Sequence, residues 1–120
     1  RPARGVELLG DRLRCGGRCG GEGGTAIGDA IVERLAEKVY VSFDIDVLSV
    51  EYCSSTGTPV AGGLSFNGAV WLVDRVAASG RRIVGFDLCE VAPGKERTID
   101  ASVGARVLFK LCGAILKTNE

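Results

Sequence analysis

The sequence predicts an α/β fold built around a parallel sheet. The chain has 120 residues, 46% of them hydrophobic, and zero formal net charge, which is the composition of one compact domain. Two short β-branched segments alternate with longer segments in which apolar residues recur at helical spacing. Strands that are separated by helices pair in parallel through right-handed crossovers. The expected order is therefore αβαβα with two parallel strands.

The balance of charge excludes several classes of partner. Lys and Arg number 15, as do Asp and Glu, so we expect no nucleic acid partner. The sequence lacks an apolar run of about 18 residues, so we expect no membrane partner either. The five Cys are an odd number without a metal-binding pattern, which favours a reduced, cytoplasmic protein. A small-molecule partner is expected. Because the chain contains no Met and begins at Arg1, we also expect it to be a fragment.

The N-terminal segment differs from the rest of the chain. Residues 15–24 are mostly glycine, with little side-chain volume to pack and a high entropic cost of ordering. We predict a Gly-rich, poorly ordered segment at residues 1–24 and an α/β domain at residues 25–120. The first helix is predicted at residues 25–37 with Thr25 as its N-cap. The residues at helical spacing there are Ile27, Ala30, Ile31, Leu35 and Lys38.

The remaining elements follow in order. Residues 39–43 are β-branched and aromatic, as in a buried strand. After a long loop, Ser65 is placed to cap a second helix that ends at Gly80. That helix carries Val70, Trp71, Val73, Val76 and Ala77. Residues 82–88 form the second predicted strand and residues 100–116 the last helix. The apolar face of the last helix is predicted to contain Val103, Val107, Leu108, Leu111 and Ile115.

Acidic residues follow both predicted strands. Asp44 and Asp46 come after the first, and Asp87 and Glu90 come at the end of the second. Because parallel strands end at one edge of the sheet, ligands collect there. In an extended segment Asp44 and Asp46 share one side while Ile45 faces away. Two ionised carboxylates this close repel each other unless a cation lies between them, and oxygen ligands suit Mg, Ca or Mn. The alternative is that each Asp caps the following turn.

Several motifs in register resemble the ureohydrolase family, which includes arginases, agmatinases and formimidoylglutamases. They are Ser42-Phe43-Asp44-Ile45-Asp46, Thr56-Gly57-Thr58-Pro59, Gly62-Gly63-Leu64 and Phe86-Asp87-Leu88-Cys89-Glu90-Val91-Ala92-Pro93. The resemblance covers residues 39–113. It implies the C-terminal portion of a three-layer αβα, arginase-like fold, and a binuclear manganese site that activates water to hydrolyse a C–N bond of a guanidino or formimino substrate.

The resemblance also implies roles for individual residues. Asp44 resembles the carboxylate that bridges the two metals, and Asp46 a ligand of one. Glu90 resembles the residue that receives the substrate's guanidinium group, and Thr58 a residue near the metals or the substrate. Asp87 is expected to brace the site without touching metal. No residue of the chain is assigned as catalytic. The resemblance leaves open whether the substrate is arginine, agmatine or formiminoglutamate, and implies a homo-oligomer for the full-length protein.

In the family, two His and two further Asp from upstream motifs complete the metal site. This chain contains no His. We therefore expect the chain alone to bind manganese weakly and to be inactive. A related hypothesis is an inactive or regulatory remnant of the family, whose incomplete sheet would expose an edge and an apolar face and favour self-association.

Two other interpretations compete with the resemblance. Residues 43–48 imitate a haloacid-dehalogenase-like Mg phosphatase motif, in which Asp44 would be the nucleophile and Asp46 the general acid. The motif is imperfect, because Leu48 stands where Thr or Val is expected and no later pair of Asp residues would hold the metal. Residues 21–26 imitate a glycine-rich nucleotide-binding loop, although no strand is predicted before them.

Overall fold

The computed structural model describes residues 4–7, 22–94 and 98–120, which form a parallel sheet with helices packed against it. The strands are β1 (Arg4–Glu7), β2 (Lys38–Asp44) and β3 (Arg82–Cys89). The helices are α1 (Glu22–Arg34), α2 (Phe66–Ala77) and α3 (Ile99–Thr118). A short 3-10 turn, Ile45–Val47, follows β2 directly. The predicted α/β class is confirmed.

The three strands lie in the order β1, β2, β3, and both pairs are parallel. Val39 lies opposite Ile83, and a register shift follows between Val39 and Tyr40. Farther along, Ser42 lies opposite Asp87 and Asp44 lies opposite Cys89. The carboxyl ends of β2 and β3 are therefore level with each other. Acidic residues that follow the two strands start from the same edge of the sheet.

The described helices form one layer, with α2 contacting both α1 and α3. Arg75 of α2 pairs with Asp29 of α1, and Asp74 of α2 lies 3.7 Å from Lys110 of α3. These ion pairs are largely exposed and each adds little to stability. The single layer follows from the strand order, because successive right-handed crossovers between neighbouring parallel strands place their helices on the same face.

The core lies between the helices and one face of the sheet. Alternate residues of β2, namely Val39, Val41 and Phe43, are buried there. Helices α2 and α3 cover them with Leu72, Val73, Ala77, Val103, Val107 and Leu111. Burying a side chain of this size contributes about 1.5–3 kcal/mol. Helix α2 begins as predicted, because the Oγ of Ser65 accepts the N–H of Gly68 at 3.0 Å.

The predicted first helix was wrong in its bounds. Helix α1 begins at Glu22, so Thr25 lies inside it and is no N-cap, while Leu35 and Lys38 lie beyond its end at Arg34. Glycine costs a helix about 1 kcal/mol per residue relative to alanine, but packing outweighs this cost here. Gly24 is buried, and a Cβ on Gly28 would lie 2.6 Å from the Trp71 ring. The glycines therefore belong partly to a packed helix.

The predicted number of strands was also wrong, because β1 adds a third. Strand β1 and the start of α1 lie within the segment predicted to be poorly ordered, residues 1–24. Residues 1–3 and 8–21 of that segment lie outside the described residues. Leu108 was wrongly placed on the buried face of α3, for it is 45% exposed. The buried residues Val103, Val107 and Leu111 follow each other at intervals of four, and Leu108 is rotated about 100° from Val107.

The face of the sheet opposite the helices carries exposed side chains. Tyr40 is 40% exposed, and its ring lies over Gly85, where an added Cβ would be 2.8 Å from the ring. Val84 is 45% exposed. The described residues thus form two of the three layers expected of the fold. Among them, no helix is long and apolar enough to cross a membrane.

Candidate metal centre at the carboxyl edge of the sheet

Asp44 and Asp46 are brought together by a tight turn at the end of β2. Asp44 is the last residue of the strand, and Asp46 lies within the 3-10 turn that follows. The N–H of Asp46 donates to Oδ1 of Asp44 at 3.1 Å. The predicted extended alternation was therefore wrong, although Ile45 does point inward and is only 1% exposed. Asp44 caps the turn through one oxygen, and a carboxylate has further acceptor capacity for a cation.

The surroundings of this turn disfavour the ionised form of Asp44. Burial raises the pKa of the Asp44 carboxyl above its ordinary value, and the neighbouring Asp46 and Glu90 carboxylates raise the pKa further. The hydrogen bond from the Asp46 backbone opposes this rise in the pKa of Asp44. Neighbouring like charges disfavour the ionisation of a carboxylate unless a cation lies between them.

The connection between β2 and α2, residues 45–65, folds back beside the turn. Leu64 donates its N–H to the carbonyl of Val47, and Ser49 donates to the carbonyl of Leu64, both at 2.9 Å. The backbone approaches so closely that a Cβ on Gly63 would lie 2.7 Å from the carbonyl oxygen of Val47. Gly62 before it has φ +73°, a conformation that other residues seldom adopt. The two glycines thus allow the loop to close.

The tip of this loop lies between Asp46 and Glu90. The hydroxyl of Thr58 donates to Oδ2 of Asp46. A Cβ on Gly57 would lie 3.7 Å from Oε2 of Glu90. The structure therefore brings Thr58 beside Asp46, one of the two candidate metal ligands. Its described contact is with Asp46, and direct contact with substrate stays a prediction.

Glu90 begins the connection from β3 to α3, and its backbone is unusual. Its φ is +63°. Among the described residues other than glycine, Glu90 is the one with a positive φ. A side chain in this region costs roughly 1–3 kcal/mol and persists where the surroundings impose it, often at functional sites. The side chain is exposed at the open end of the sheet.

Asp87 braces the two strands behind the site. It accepts the hydroxyl of Ser42 on β2 at 2.8 Å and the thiol of Cys89 at 3.2 Å. The hydrogen bonds from Ser42, Cys89 and Tyr40 lower the pKa of the Asp87 carboxyl, with the Ser42 contribution largest. An ionised Asp87 is thus satisfied by its neighbours on β2 and β3. That it braces the loop or the metal ligands stays a prediction.

Cys53 anchors the start of the loop from within. It is 2% exposed, and its Sγ lies 3.2 Å from the carbonyl oxygen of Ile45 and 3.6 Å from that of Leu48. Burial, followed by the nearby charges of Asp100 and Asp46, raises the pKa of this thiol. A neutral thiol can donate weakly to both carbonyls, so Cys53 helps to shape the turn that carries Asp46.

The donors at this edge suit a hard divalent cation, but they are few. Carboxylate and hydroxyl oxygens are the ligands of Mg, Ca and Mn, and a cation would offset the repulsion felt by Asp44. Within residues 22–94 and 98–120, no group of three or more His, Cys, Asp or Glu side chains is arranged to hold a metal ion. Asp44 and Asp46 therefore fit as part of a metal site.

Comparison with known proteins identifies the fold. Residues 19–113 match the family model described as "Arginase family". The chain belongs to the arginase family. It is 44% identical over 87 residues to an N(1)-aminopropylagmatine ureohydrolase of Thermococcus kodakarensis, covering 69% of this chain and 28% of the relative. It is 35% identical over 83 residues to an agmatinase of Pyrococcus horikoshii, covering 66% of this chain and 28% of that enzyme.

Solved structures of the arginase family share the fold. A proclavaminate amidino hydrolase from Streptomyces clavuligerus superposes with a TM-score of 0.71 at 30% identity, over 78% of this chain and 31% of that one. An arginase from Bacillus caldovelox gives a TM-score of 0.64 at 29% identity, over 86% of this chain and 32% of that one. This arginase-family chain thus spans less than a third of the length of these relatives.

Membership of the arginase family favours the ureohydrolase interpretation over the haloacid-dehalogenase-like phosphatase. The nucleotide-loop interpretation is wrong in its geometry. A strand, β1, does precede residues 21–26, but Glu22 to Ala26 lie inside α1 and form no loop. Sequence reasoning assigned no role to two residues that shape the site, Ser42 and Cys53. A polar residue within the apolar run Val41-Ser42-Phe43 was the available signal for the first.

Proposed function

We propose that this chain supplies part of the active site of a metal-dependent hydrolase that cleaves a C–N bond of a linear amidine. The observation that carries the proposal is the convergence of Asp44, Asp46, Thr58 and Glu90 at one edge of the sheet. Membership of the arginase family supports it, as do relatives named agmatinase and ureohydrolase.

Asp44 and Asp46 would hold manganese through their carboxylate oxygens. When bound, the metal pair would supply a water molecule made acidic enough to give a nucleophile near neutral pH. The hydrogen bond from Thr58 to Asp46 restricts the rotation of that carboxylate. The backbone hydrogen bond from Asp46 does the same for Asp44. Both ligands are thus held before a cation arrives, which lowers the entropic cost of binding.

Glu90 would bind the cationic end of the substrate. A carboxylate can accept two parallel N–H bonds from a planar guanidinium group, an arrangement that fixes the group's orientation. The strained backbone at φ +63° places Glu90 at the end of β3, beside Gly57 at the loop tip. The absence of a side chain on Gly57 leaves room near Oε2. The candidate substrates are guanidino or formimino compounds.

The chain by itself is proposed to be inactive. It contributes two carboxylate ligands. In the family, His residues help to complete the metal site, and this chain contains no His. We expect weak manganese binding and no release of urea from arginine or agmatine, nor of formamide from formiminoglutamate. Metal-dependent product release from the purified chain would contradict this expectation.

The proposed location of the protein is the cytoplasm.

Manganese titration followed by electron paramagnetic resonance tests the metal-ligand proposal. Asp44→Asn and Asp46→Asn should each weaken binding at least about tenfold, because a neutral amide is a poor ligand for a hard cation. Asp74→Asn is the matched control, since Asp74 lies on α2 away from this edge and should bind like the wild type. Equal affinity in all four proteins would overturn the proposal.

Titration of the manganese-loaded chain with agmatine and arginine tests the role of Glu90. Glu90→Gln should weaken binding of both compounds about tenfold, the loss typical of an ion-assisted hydrogen-bond pair. Glu37→Gln, in the connection before β2, removes the same charge elsewhere and should have no effect. Unchanged affinity in Glu90→Gln would show that the guanidinium group is bound by other residues.

A further inference from the structure

Asp100 is the most deeply buried charged residue in the described part of the chain. It lies in the first turn of α3 and is only 3% exposed. A buried carboxylate is costly unless hydrogen bonds replace its water. Here the backbone N–H of Ser55 donates to Oδ2 at 2.8 Å, and the hydroxyl of Ser54 lies 3.5 Å from the same oxygen. Both partners belong to the loop of residues 45–65 and are 45 and 46 residues from Asp100 in sequence.

The bonded segment is the approach to the tip of that loop. Thr58, which contacts Asp46, is three residues after Ser55, and Gly57 beside Glu90 is two residues after it. Three residues reach at most about 11 Å, so the position of Ser55 limits where Thr58 can lie. The base of the loop is held separately, by the bonds of Ser49 and Val50 to Leu64 and Val60. At the tip, Asp100 supplies the anchor that comes from outside the loop.

We infer that Asp100 is a positioning residue, which ties the loop tip to α3 and so holds Thr58 against Asp46 and Gly57 beside Glu90. The functional role of Asp100 rests on the proposed function, whereas the hydrogen bond that ties the loop to Asp100 does not depend on it. Helix α3 follows Glu90 along the chain.

A purely helical role for Asp100 is the main competing explanation. An acidic residue in the first turn interacts favourably with the helix dipole, and the N-cap Thr98 makes no side-chain cap bond. That role depends on the negative charge. The tie depends on an acceptor oxygen facing the Ser55 amide, and an Asn can provide one. Asp100→Asn therefore separates the two roles.

Hydrogen exchange of backbone amides in the 120-residue chain provides the test. In Asp100→Ala, exchange at Ser55 and Thr56 should rise at least about tenfold, as expected when a hydrogen-bonded loop is released. Asp100→Asn should restore most of the protection. Val103→Ala is the control, because Val103 is a buried residue of the same helix whose side chain cannot accept a hydrogen bond from Ser54 or Ser55. It should leave the loop amides unchanged relative to those of α3. Wild-type protection in Asp100→Ala, or equal loss in Asp100→Asn and Asp100→Ala, would overturn the inference.

Manganese affinity of the same variants separates this inference from the proposed function. Asp100→Ala should bind manganese about tenfold more weakly than the wild type, and Asp100→Asn about as well, the effect expected of a residue that orients a ligand. If the wild type binds no manganese but loop protection still depends on Asp100, the proposed function fails and the tie stands. If manganese binds equally to all variants with unchanged protection, the tie fails. Should Asp100→Ala not fold, Asp100→Ser replaces it, because its hydroxyl is too short to reach Ser55.

Discussion

The two edges of the sheet differ in how they connect strands to helices. At the amino edge, residues 78–81 join α2 to β3 with local bonds, such as that of the Ala78 N–H to Asp74 at 2.9 Å. At the carboxyl edge, residues 45–65 form a long loop whose bonds run between distant segments, from Thr58 to Asp46 and from Ser55 to Asp100. Long-range closure of this loop costs conformational entropy, which its hydrogen bonds must offset. The candidate site lies at this edge.

The largest expected effect lies in the core that both edges share. Leu111 is 2% exposed against the sheet, and Leu111→Ala should lower the free energy of unfolding by about 2–5 kcal/mol. Urea denaturation measures this. Leu116→Ala on the same helix is the control, because Leu116 is 67% exposed and should cost less than about 0.5 kcal/mol. Similar losses in both variants would show that the buried face of α3 is wrongly assigned.

A glycine at the carboxyl edge should give the next largest effect. A Cβ on Gly63 would lie 2.7 Å from backbone atoms of Leu48 and Ser49, so Gly63→Ala should cost about 1–3 kcal/mol and loosen the loop. Gly57→Ala makes only an ordinary contact at 3.7 Å and serves as the matched control. Chemical denaturation compares the two. The closed loop would be contradicted by a Gly63→Ala variant as stable as Gly57→Ala.

At the amino edge, Gly80 is required for its backbone conformation and not because space is short. Gly80 has φ +76° and nothing within 4 Å of an added Cβ, so Gly80→Ala should cost about 1–2 kcal/mol. Gly80→Asn should cost less, because Asn tolerates this backbone conformation better. Neither change should alter manganese binding, which is measured in the same proteins. An effect on metal affinity would mean that the two edges are not independent.

The smallest effect concerns the charge at the site itself. Asp44→Asn keeps an acceptor for the Asp46 N–H but removes one of the crowded charges. Without metal, its free energy of unfolding at neutral pH should be unchanged or higher by less than about 1 kcal/mol. Because the pKa of Asp44 is raised on folding, its ionised form opposes folding at neutral pH. The advantage of Asp44→Asn should shrink as the pH falls and wild-type Asp44 becomes protonated. A clear loss of stability in Asp44→Asn at neutral pH would contradict repulsion between Asp44 and the neighbouring carboxylates.

Most of the framework followed from local patterns. Strands β2 and β3 and helix α2 have strong signals, such as the β-branched run before Asp44 and the Ser65 cap, and these elements lie where they were predicted. The start of α1 was not predictable from propensity, because its glycines are compensated by tertiary packing such as that of Gly28 against Trp71. Strand β1 has four residues, too few for a periodic signal.

The sequence motifs named the members of the candidate site, but its geometry was not predictable. Motif order led to Asp44, Asp46, Thr58 and Glu90, but periodicity suggested an extended segment where the chain forms a 3-10 turn. The positive φ of Glu90 depends on how the chain leaves β3, which no single-residue preference encodes. From the sequence, Asp100 was predicted only as the first residue of a helix, because a contact between residues 45 positions apart leaves no local pattern.

Paramagnetic broadening of backbone amide signals by manganese tests the central claim most directly, because it locates the ion relative to both edges. Substoichiometric manganese should broaden the amides of Ile45, Asp46, Thr58 and Glu90 and leave those of residues 78–82 sharp. The Asp44→Asn, Asp46→Asn double variant should lose this pattern. Broadening that is equal at both edges, or that persists in the double variant, would contradict the assignment of the carboxyl edge as the metal site.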